Sequence, residues 1–359
     1  MLPLADLTLP TTDEEIWRYS RIEDLDPAAF DVAPPGTTIS GVTSPVVVSH
    51  TRVEGVDEVD EFDVFATYNA AHQAPLLIEI PRGVVVAEPI VIDHTAPAGA
   101  AIFPRTVLRV GEGAQCTVIE RFGSAASPST SLTVPVLVIE AGQSAIVSYL
   151  AVNDVSSDSW QVGHQVVSGE RDSTINLSTV TLGGHYTRVR TESRSVGRGA
   201  SLRQVALYFA AGDQMHDFRV HQDHIAPNTS SDLLFKGAVQ DSARSVYTGL
   251  ISIREGAKGT SANQTNRNLT LSEGAWAESV PNLDIRNNDV SCSHASTVGP
   301  IDEDQRFYLE SRGLPPEIAE RLVILGFFDE VLGQLPSPAL AQDLRQRVES
   351  RLAIGGDSR

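Results

Sequence analysis

Cysteine and lysine are both scarce in this chain of 359 residues. Cys116 and Cys292 are the only cysteines, which is too few for a disulfide framework and fits a cytoplasmic location. Lysine occurs only at Lys236 and Lys258, and the net charge is −19. Because an acidic surface repels phosphate backbones, the composition argues against nucleic acid as a partner.

Long apolar runs are absent as well. The longest, at 134–139 and 322–328, are far too short to span a bilayer. The N-terminal sequence has neither the basic start nor the apolar stretch of a secretory signal. We therefore expect a cytoplasmic protein with no membrane partner.

The chain also lacks recognisable catalytic and nucleotide-binding motifs. It contains no GxxxxGK[ST] phosphate loop, GxSxG nucleophile elbow, CxxC pair or HExxH helix. Carboxylates are frequent enough for a glycosidase-type pair, but no spacing singles one out. No motif therefore marks an active site in this sequence.

The centre of the chain, from residue 46 to residue 285, consists of short β-branched runs separated by turns. The absence of Asn-Gly and Asp-Gly turns counts against tight hairpins, so the pattern favours a β-solenoid over a sandwich or barrel. Glycine in a tight turn and a small alanine beside it would let successive turns stack. No helical period interrupts this block. Five turns resemble one another: GEGA at 111–114, EAGQSA at 140–145, GRGA at 197–200, REGA at 254–257 and SEGA at 272–275.

Helical patterns flank the β block. We predict an N-terminal helical segment over 1–40, a parallel β core over 41–299 and a C-terminal helical domain over 300–359. Asp302 can cap the first C-terminal helix, Pro315 and Pro316 open the second, and Pro336 and Pro338 end it before a last helix.

Cys292 and His294 are the strongest candidates for chemistry. On a strand both side chains would project from one face, about 7 Å apart along it. Two such groups could present soft ligands to one iron site. The simpler alternative is a small buried cysteine and a histidine that is hydrogen-bonded to the backbone.

A second histidine cluster is denser but less promising. His216, His221 and His224 lie within HDFRVHQDH, and on a strand His221 and His224 would point to opposite faces. We therefore expect hydrogen-bonded histidines near a turn rather than a metal site.

The segment 232–313 resembles the SufB/SufD family of iron–sulfur cluster assembly proteins. EEIWRYS at 14–20 and LLIEIPRGVVVAEPIVI at 76–92 are similar to the same family, so the resemblance spans almost the whole chain. The distinctive pieces are VYTGLISI, Gln264 with Asn268-Leu269, Pro281 with LDI at 283–285, and then CSH, FYL and SRG.

This resemblance implies a mainly β fold, a right-handed parallel β-helix (a β-solenoid) with helical ends. It also implies a scaffold subunit of a SufBCD-type complex that is not itself an enzyme. Such a subunit pairs with a SufB-like paralogue through the β-helices and docks a SufC-like ATPase through its C-terminal helices. No tightly bound cofactor is expected. A transient iron–sulfur cluster would form at the interface with the SufB-like partner.

The resemblance also assigns roles to particular residues. His294 matches the histidine of the family motif CSHGATVG, a proposed cluster ligand, and Cys292 matches its cysteine. The motif reads CSHASTVG here, so Ala295 replaces the family glycine. Asn266 stands near the key cysteine of SufB-type proteins, which favours the SufD-type branch. The candidate partner-binding residues of the C-terminal helices are Arg312, Gly313, Ile318, Leu322, Leu325 and Phe328.

Two alternatives come from other functional classes. The first is a secreted-type β-helix polysaccharide lyase or hydrolase, which the lack of a signal sequence opposes. The second is a homodimer of the isolated chain, paired through its sheet edges.

Overall fold

A computed structural model describes residues 4–50, 64–72 and 74–356 of the chain. Within these residues the strands are β1 (Asp31–Val32), β2 (Gly36–Ser40), β3 (Val47–His50), β4 (Leu76–Ile80), β5 (Ile90–Ala96), β6 (Ala100–Ile102), β7 (Arg105–Val110), β8 (Gln115–Ser124), β9 (Leu132–Thr133), β10 (Val136–Ala141), β11 (Ile146–Asp154), β12 (Trp160–Gly169), β13 (Thr174–Thr181), β14 (Tyr186–Ser195), β15 (Ser201–Ala210), β16 (Met215–His224), β17 (Ser230–Val239), β18 (Arg244–Ile253), β19 (Thr260–Thr270), β20 (Trp276–Ile285) and β21 (Val290–Gly299). The helices are α1 (Val64–His72), α2 (Glu303–Ser311), α3 (Pro316–Leu332) and α4 (Pro338–Gly356), and the 3₁₀ turns are Leu4–Asp6, Glu15–Trp17, Ile22–Asp24 and Pro27–Ala29.

Most of these strands form a solenoid of about 8 turns. Successive strands alternate between two sheets, in the order β3-β4-β7-β10-β12-β14-β16-β18-β20 for the first sheet and β2-β5-β8-β11-β13-β15-β17-β19-β21 for the second. From β4 and β5 onward the pairing along both orders is parallel, and Tyr186 pairs with Met215, which pairs with Arg244. The predicted β-solenoid with helical ends is therefore confirmed.

The turns between coils stack as the sequence predicts. Gly111 N donates to Ile80 O at 2.8 Å, and Gly142 N donates to Val110 O at the same distance. Ala114, which follows the first of these turns, is fully buried. A glycine and a small alanine thus let each turn lie directly on the one before it.

One helix interrupts the β block, so the prediction of an unbroken block is wrong. Helix α1 lies between β3 and β4 and places Phe65 and Ala66 in buried positions. The amide of Asn69 donates to Pro104 O at 2.9 Å and to Val134 O at 2.7 Å. This short helix shows no clear helical period in the sequence. Its packing on the outer face of the first sheet stabilises it instead.

The N-terminal helical segment consists of short 3₁₀ turns that lie against the first sheet. Arg188 is fully buried and forms an ion pair with Asp217 at 2.7 Å. Its guanidinium also donates to Ile16 O at 2.7 Å and lies 3.9 Å from the centroid of the Trp17 ring. Burial acts to raise the pKa of Asp217, but the guanidinium groups of Arg219 and Arg188 hold that pKa below its usual value. This buried charge cluster fastens the start of the chain to strands β14 and β16.

The C-terminal helices cover the second sheet. Asp302 caps α2, and its Oδ1 accepts from Asp304 N at 3.0 Å, as the sequence predicts. Gly313 ends this unit with a φ of +92°, which glycine adopts without strain. In the part of the chain that the structure describes, no helix has the length and apolar character to cross a membrane.

Two contacts fix the last helices to the solenoid. Lys236 of β17 donates to Phe327 O at 2.8 Å and forms an ion pair with Glu330. Arg351 of α4 forms an ion pair with Asp154 at 2.7 Å. Helices α3 and α4 are therefore both attached to the second sheet by charged side chains.

The two ends of the solenoid differ. At the first end, β3 pairs with β4 and β2 pairs with β5, and both pairings are antiparallel. At the other end, β20 and β21 are the last members of their sheets. Among the described residues no strand pairs with their outer edges. We call the coil of β20 and β21 the open end.

The stacked turns give a direct test of the fold. A Cβ at Gly197 would overlap the backbone nitrogen of Arg171 in the turn beneath, whereas a Cβ at Gly256 would come no closer than 3.6 Å to Ile225 O. We expect Gly197→Ala to lower the free energy of unfolding by about 1–3 kcal/mol. Gly256→Ala should change it by less than about 0.5 kcal/mol. Urea unfolding followed by circular dichroism measures both, and equal losses would contradict turn stacking.

Candidate functional site at the open end of the solenoid

Strand β21 carries both candidate ligands on the inner face of the open end. Its parallel register with β19 pairs Cys292 with Ala262 and His294 with Gln264. Ala262 and Gln264 are buried in the solenoid interior, so their neighbours in β21 face the same interior from the last coil. The prediction that Cys292 and His294 share a face is therefore confirmed.

The two side chains differ in exposure. Cys292 is half-buried and packs against an apolar cluster that includes Ile251, Ile253 and Ala257. His294 is exposed, because no further coil covers it. The imidazole is therefore accessible from outside, whereas the thiol is partly covered by the core.

Burial also determines the protonation of both cysteines. It raises the pKa of the Cys292 thiol above its usual value and raises the pKa of Cys116 to about 12. A metal binds the thiolate, and a raised pKa makes the thiolate of Cys292 less available. His294 is the better-placed donor.

The coil beneath the open end has a polar interior. Tyr208 donates to Asn268 Oδ1 at 2.6 Å, and the amide of Asn266 donates to the Tyr208 oxygen at 3.0 Å. Asn266, the position that the sequence compares with a SufB cysteine, is therefore a buried structural amide.

Exposed apolar side chains and ion pairs surround the site. Ile285 of β20 is 43% exposed, and Leu283 and Val298 are also exposed. Beside them, Arg286 pairs with Asp284 at 2.9 Å on the outer face of the first sheet. A hydrogen bond from Arg286 holds the pKa of Asp284 below its usual value. The last coil thus exposes apolar side chains, and an ion pair lies beside them on the outer face of the first sheet.

The three histidines of the denser cluster do not converge on one point. His216 and His224 point into the interior, where burial lowers their pKa values to about 3 and about 4. His224 bonds Thr229 and Ser231, whereas His221 bonds Ser252 on the outer face. The prediction of hydrogen-bonded histidines on opposite faces is confirmed.

Cys292 and His294 do not make a complete metal site. Across the described ranges, no group of three histidine, cysteine or carboxylate side chains lies close enough together to hold a metal ion. The open end therefore offers at most two protein donors from this chain.

The C-terminal helices carry a second candidate surface, but not all the predicted residues belong to it. Leu325 and Phe328 are buried beneath α3 against the second sheet. The prediction that they bind a partner is corrected, because they hold α3 to the solenoid. Ile318 and Leu322 are exposed and stay candidates.

Arg312 and Gly313 lie at the junction of α2 and α3, where the guanidinium of Arg312 lies 5.2 Å from the centroid of the Tyr308 ring. Phe307 is 71% exposed, and Tyr308 is exposed as well. Sequence reasoning missed these two aromatics, although both belong to the FYL piece. Asp304, Gln305, Tyr308, Leu309, Leu322, Val323 and Gly326 line a groove of about 620 Å³ between α2 and α3. We call this the α2–α3 groove.

Comparisons with known proteins agree with one another. The family model for the SufBD core domain of SUF-system FeS cluster assembly matches residues 92–327. An iron–sulfur cluster assembly SufBD family protein of Mycobacterium tuberculosis is 30% identical over 370 residues, which cover 96% of this chain and 90% of the relative. The SufD protein of Escherichia coli is 27% identical over 382 residues, covering 97% and 90%. The SufD protein of Bacillus subtilis is 28% identical over 311 residues, covering 86% and 71%.

The raised thiol pKa values predict slow alkylation. At pH 7.5 iodoacetamide should modify Cys292 more slowly than a free cysteine, because less of the thiol is ionised. The rate should still be rising above pH 9. Cys116 should react only after unfolding. Mass spectrometry of the native protein measures both, and the Cys292→Ser variant serves as the control that should take up no label. Rapid native labelling of Cys292 at neutral pH would contradict the assignment.

Proposed function

Since this chain belongs to the SufBD family of the SUF system for iron–sulfur cluster assembly, we propose that it is the SufD-type scaffold subunit of a SufBCD-type complex. In this proposal it pairs with a SufB-like paralogue, docks a SufC-like ATPase and catalyses no reaction itself. The observation that carries the proposal is the open end, which places an accessible imidazole on an unpaired coil. Family membership leaves the polysaccharide lyase or hydrolase alternative without support.

The open end supports pairing with a second β-helix. The outer edges of β20 and β21 present rows of backbone N–H and C=O groups, which another strand can pair with. Exposed Leu283, Ile285 and Val298 would be buried by such a partner. At the first end the last strands, β2 and β3, run antiparallel to their neighbours, so a partner there would not continue the parallel stack.

The cluster is the cargo of this interface. Iron–sulfur clusters are commonly held by about four protein ligands, whereas this chain presents two donors. His294 is the exposed one, and a neutral imidazole binds iron through the lone pair of one ring nitrogen. We assign the remaining ligands to the SufB-like partner, and Cys292 to a supporting position.

The α2–α3 groove supports ATPase docking. Phe307, Tyr308, Ile318 and Leu322 are exposed apolar side chains of α2 and α3, and Tyr308 and Leu322 line the groove. The ATPase would supply the nucleotide site that this chain lacks. Phe328 and Lys236 fix α3 to the second sheet, so a displacement of the docked ATPase would be transmitted to the whole solenoid.

The cluster role of His294 has a specific test. We expect His294→Ala to reduce the iron and sulfide bound by the complex at least about tenfold, as loss of a metal ligand commonly does. Subunit association should be unchanged. His221→Ala, which alters a histidine on the outer face, is the matched control. Iron and sulfide are counted after reconstitution with both partners and ATP. An unchanged cluster content in His294→Ala would remove the ligand role.

The docking surface has a separate test. Leu322→Asp should abolish co-purification of the ATPase while changing the free energy of unfolding by less than about 0.5 kcal/mol, since the side chain is exposed. Phe328→Ala should lower that free energy by about 3–5 kcal/mol, because it leaves a cavity beneath α3. Affinity co-purification and urea unfolding measure the two effects. Undiminished ATPase binding by Leu322→Asp would contradict docking in the α2–α3 groove.

A further inference from the structure

A buried amide without a partner lies directly beneath the open end. Gln264 is only 2% exposed. Neither its Oε1 nor its Nε2 has a hydrogen-bond partner among the residues that the structure describes. A buried polar group in this state is unfavourable, and native proteins rarely retain one without a reason.

The Gln264 amide lies in a space that the glycine at position 249 leaves open. Gln264 reaches from β19 across the interior to Gly249 of β18, where a Cβ atom would lie 2.7 Å from Gln264 Cδ. Any residue other than glycine at position 249 would therefore displace the amide. Packing against Gly249 thus keeps the Gln264 amide inside the solenoid.

In the next coil, His294 lies directly above Gln264. His294 pairs with Gln264, and Pro281 pairs with Gly249. Neighbouring strands lie about 4.8 Å apart, so rotation of the exposed His294 side chain can bring its imidazole towards the Gln264 amide. Proline at position 281 offers no N–H that could satisfy the amide instead.

Glutamines deeper in the interior differ from Gln264. The amide of Gln222 donates to Gln204 Oε1 at 3.1 Å, and Gln204 in turn donates to Thr191 Oγ1 at 3.3 Å. These amides bond to one another within the stack. Gln264 lies at the top of the interior, and the side chain above it is His294.

We propose that Gln264 Oε1 accepts the N–H of the His294 imidazole and so positions the ring. This bond fixes one tautomer and leaves the lone pair of the other ring nitrogen directed out of the solenoid. Histidine ligands of metals generally donate their second N–H in this way. The inference rests on the proposed ligand role of His294, and it makes Gln264 a positioning residue for the nascent cluster.

The test is nitrogen-15 NMR of the histidines in the full chain at pH 8, without metal. His294 should show one dominant tautomer in the wild type and a mixture close to that of free imidazole in Gln264→Met. Gln264→Glu retains an acceptor oxygen and should restore the single tautomer. Gln222→Met, which removes a bonded interior amide one coil below that of Gln264, is the matched control and should leave the His294 tautomer unchanged.

Two further measurements separate positioning from packing. In urea unfolding, Gln222→Met should have a lower free energy of unfolding than the wild type, because it breaks an interior hydrogen bond. Gln264→Met should leave the free energy of unfolding unchanged, because the proposed bond that it removes is made to an exposed ring. In the assembled complex, Gln264→Met should weaken iron binding about tenfold. The same His294 tautomer mixture in the wild type and in Gln264→Met would overturn the inference. If instead the tautomer changes as expected but His294→Ala keeps a full cluster, the ligand role fails and the hydrogen bond has no cluster function.

Discussion

Parallel backbone pairing between successive coils is the interaction on which the rest of this structure depends. From β7 and β8 onward, each strand of the two main ladders pairs in parallel with the strand one coil before it. The ladders begin with the antiparallel strands β2 and β3 and end with the parallel strands β20 and β21. This difference in strand direction, rather than any catalytic constellation, distinguishes the surfaces that the two ends present.

The turn pattern and the helix caps could be predicted from the sequence because they depend on local chemistry. Glycine and alanine at the turns, Asp302 at a helix start and Gly313 at a helix end each have one physical reason for their place. The shared face of Cys292 and His294 follows equally from strand periodicity. Helix α1 could not be predicted in this way, since its residues show little amphipathic pattern and its position depends on contacts such as those of Asn69.

The functional residues were harder to assign for a similar reason. A leucine-rich helix pattern does not reveal which apolar residues meet the second sheet and which remain outside. Leu325 and Phe328 belong to the buried side of α3, and Leu322 belongs to the exposed side. The distinction depends on the angle at which the helix approaches the solenoid, and this angle is a tertiary property. The position of the Gln264 amide could not be predicted either, because it depends on Gly249 of another strand, which faces it across the interior.

The buried Arg188–Asp217 pair has a consequence for the order of events during synthesis. Arg188 bonds a carbonyl 172 positions earlier in the chain, and Tyr19 lies against Trp276, with ring centroids 6.1 Å apart. Coils can add one by one as the polypeptide leaves the ribosome, because each needs only its predecessor. The segment that contains Ile16 and Tyr19 has no complete binding surface until strands β14 and β20 have been made. We therefore expect this segment to dock late in folding.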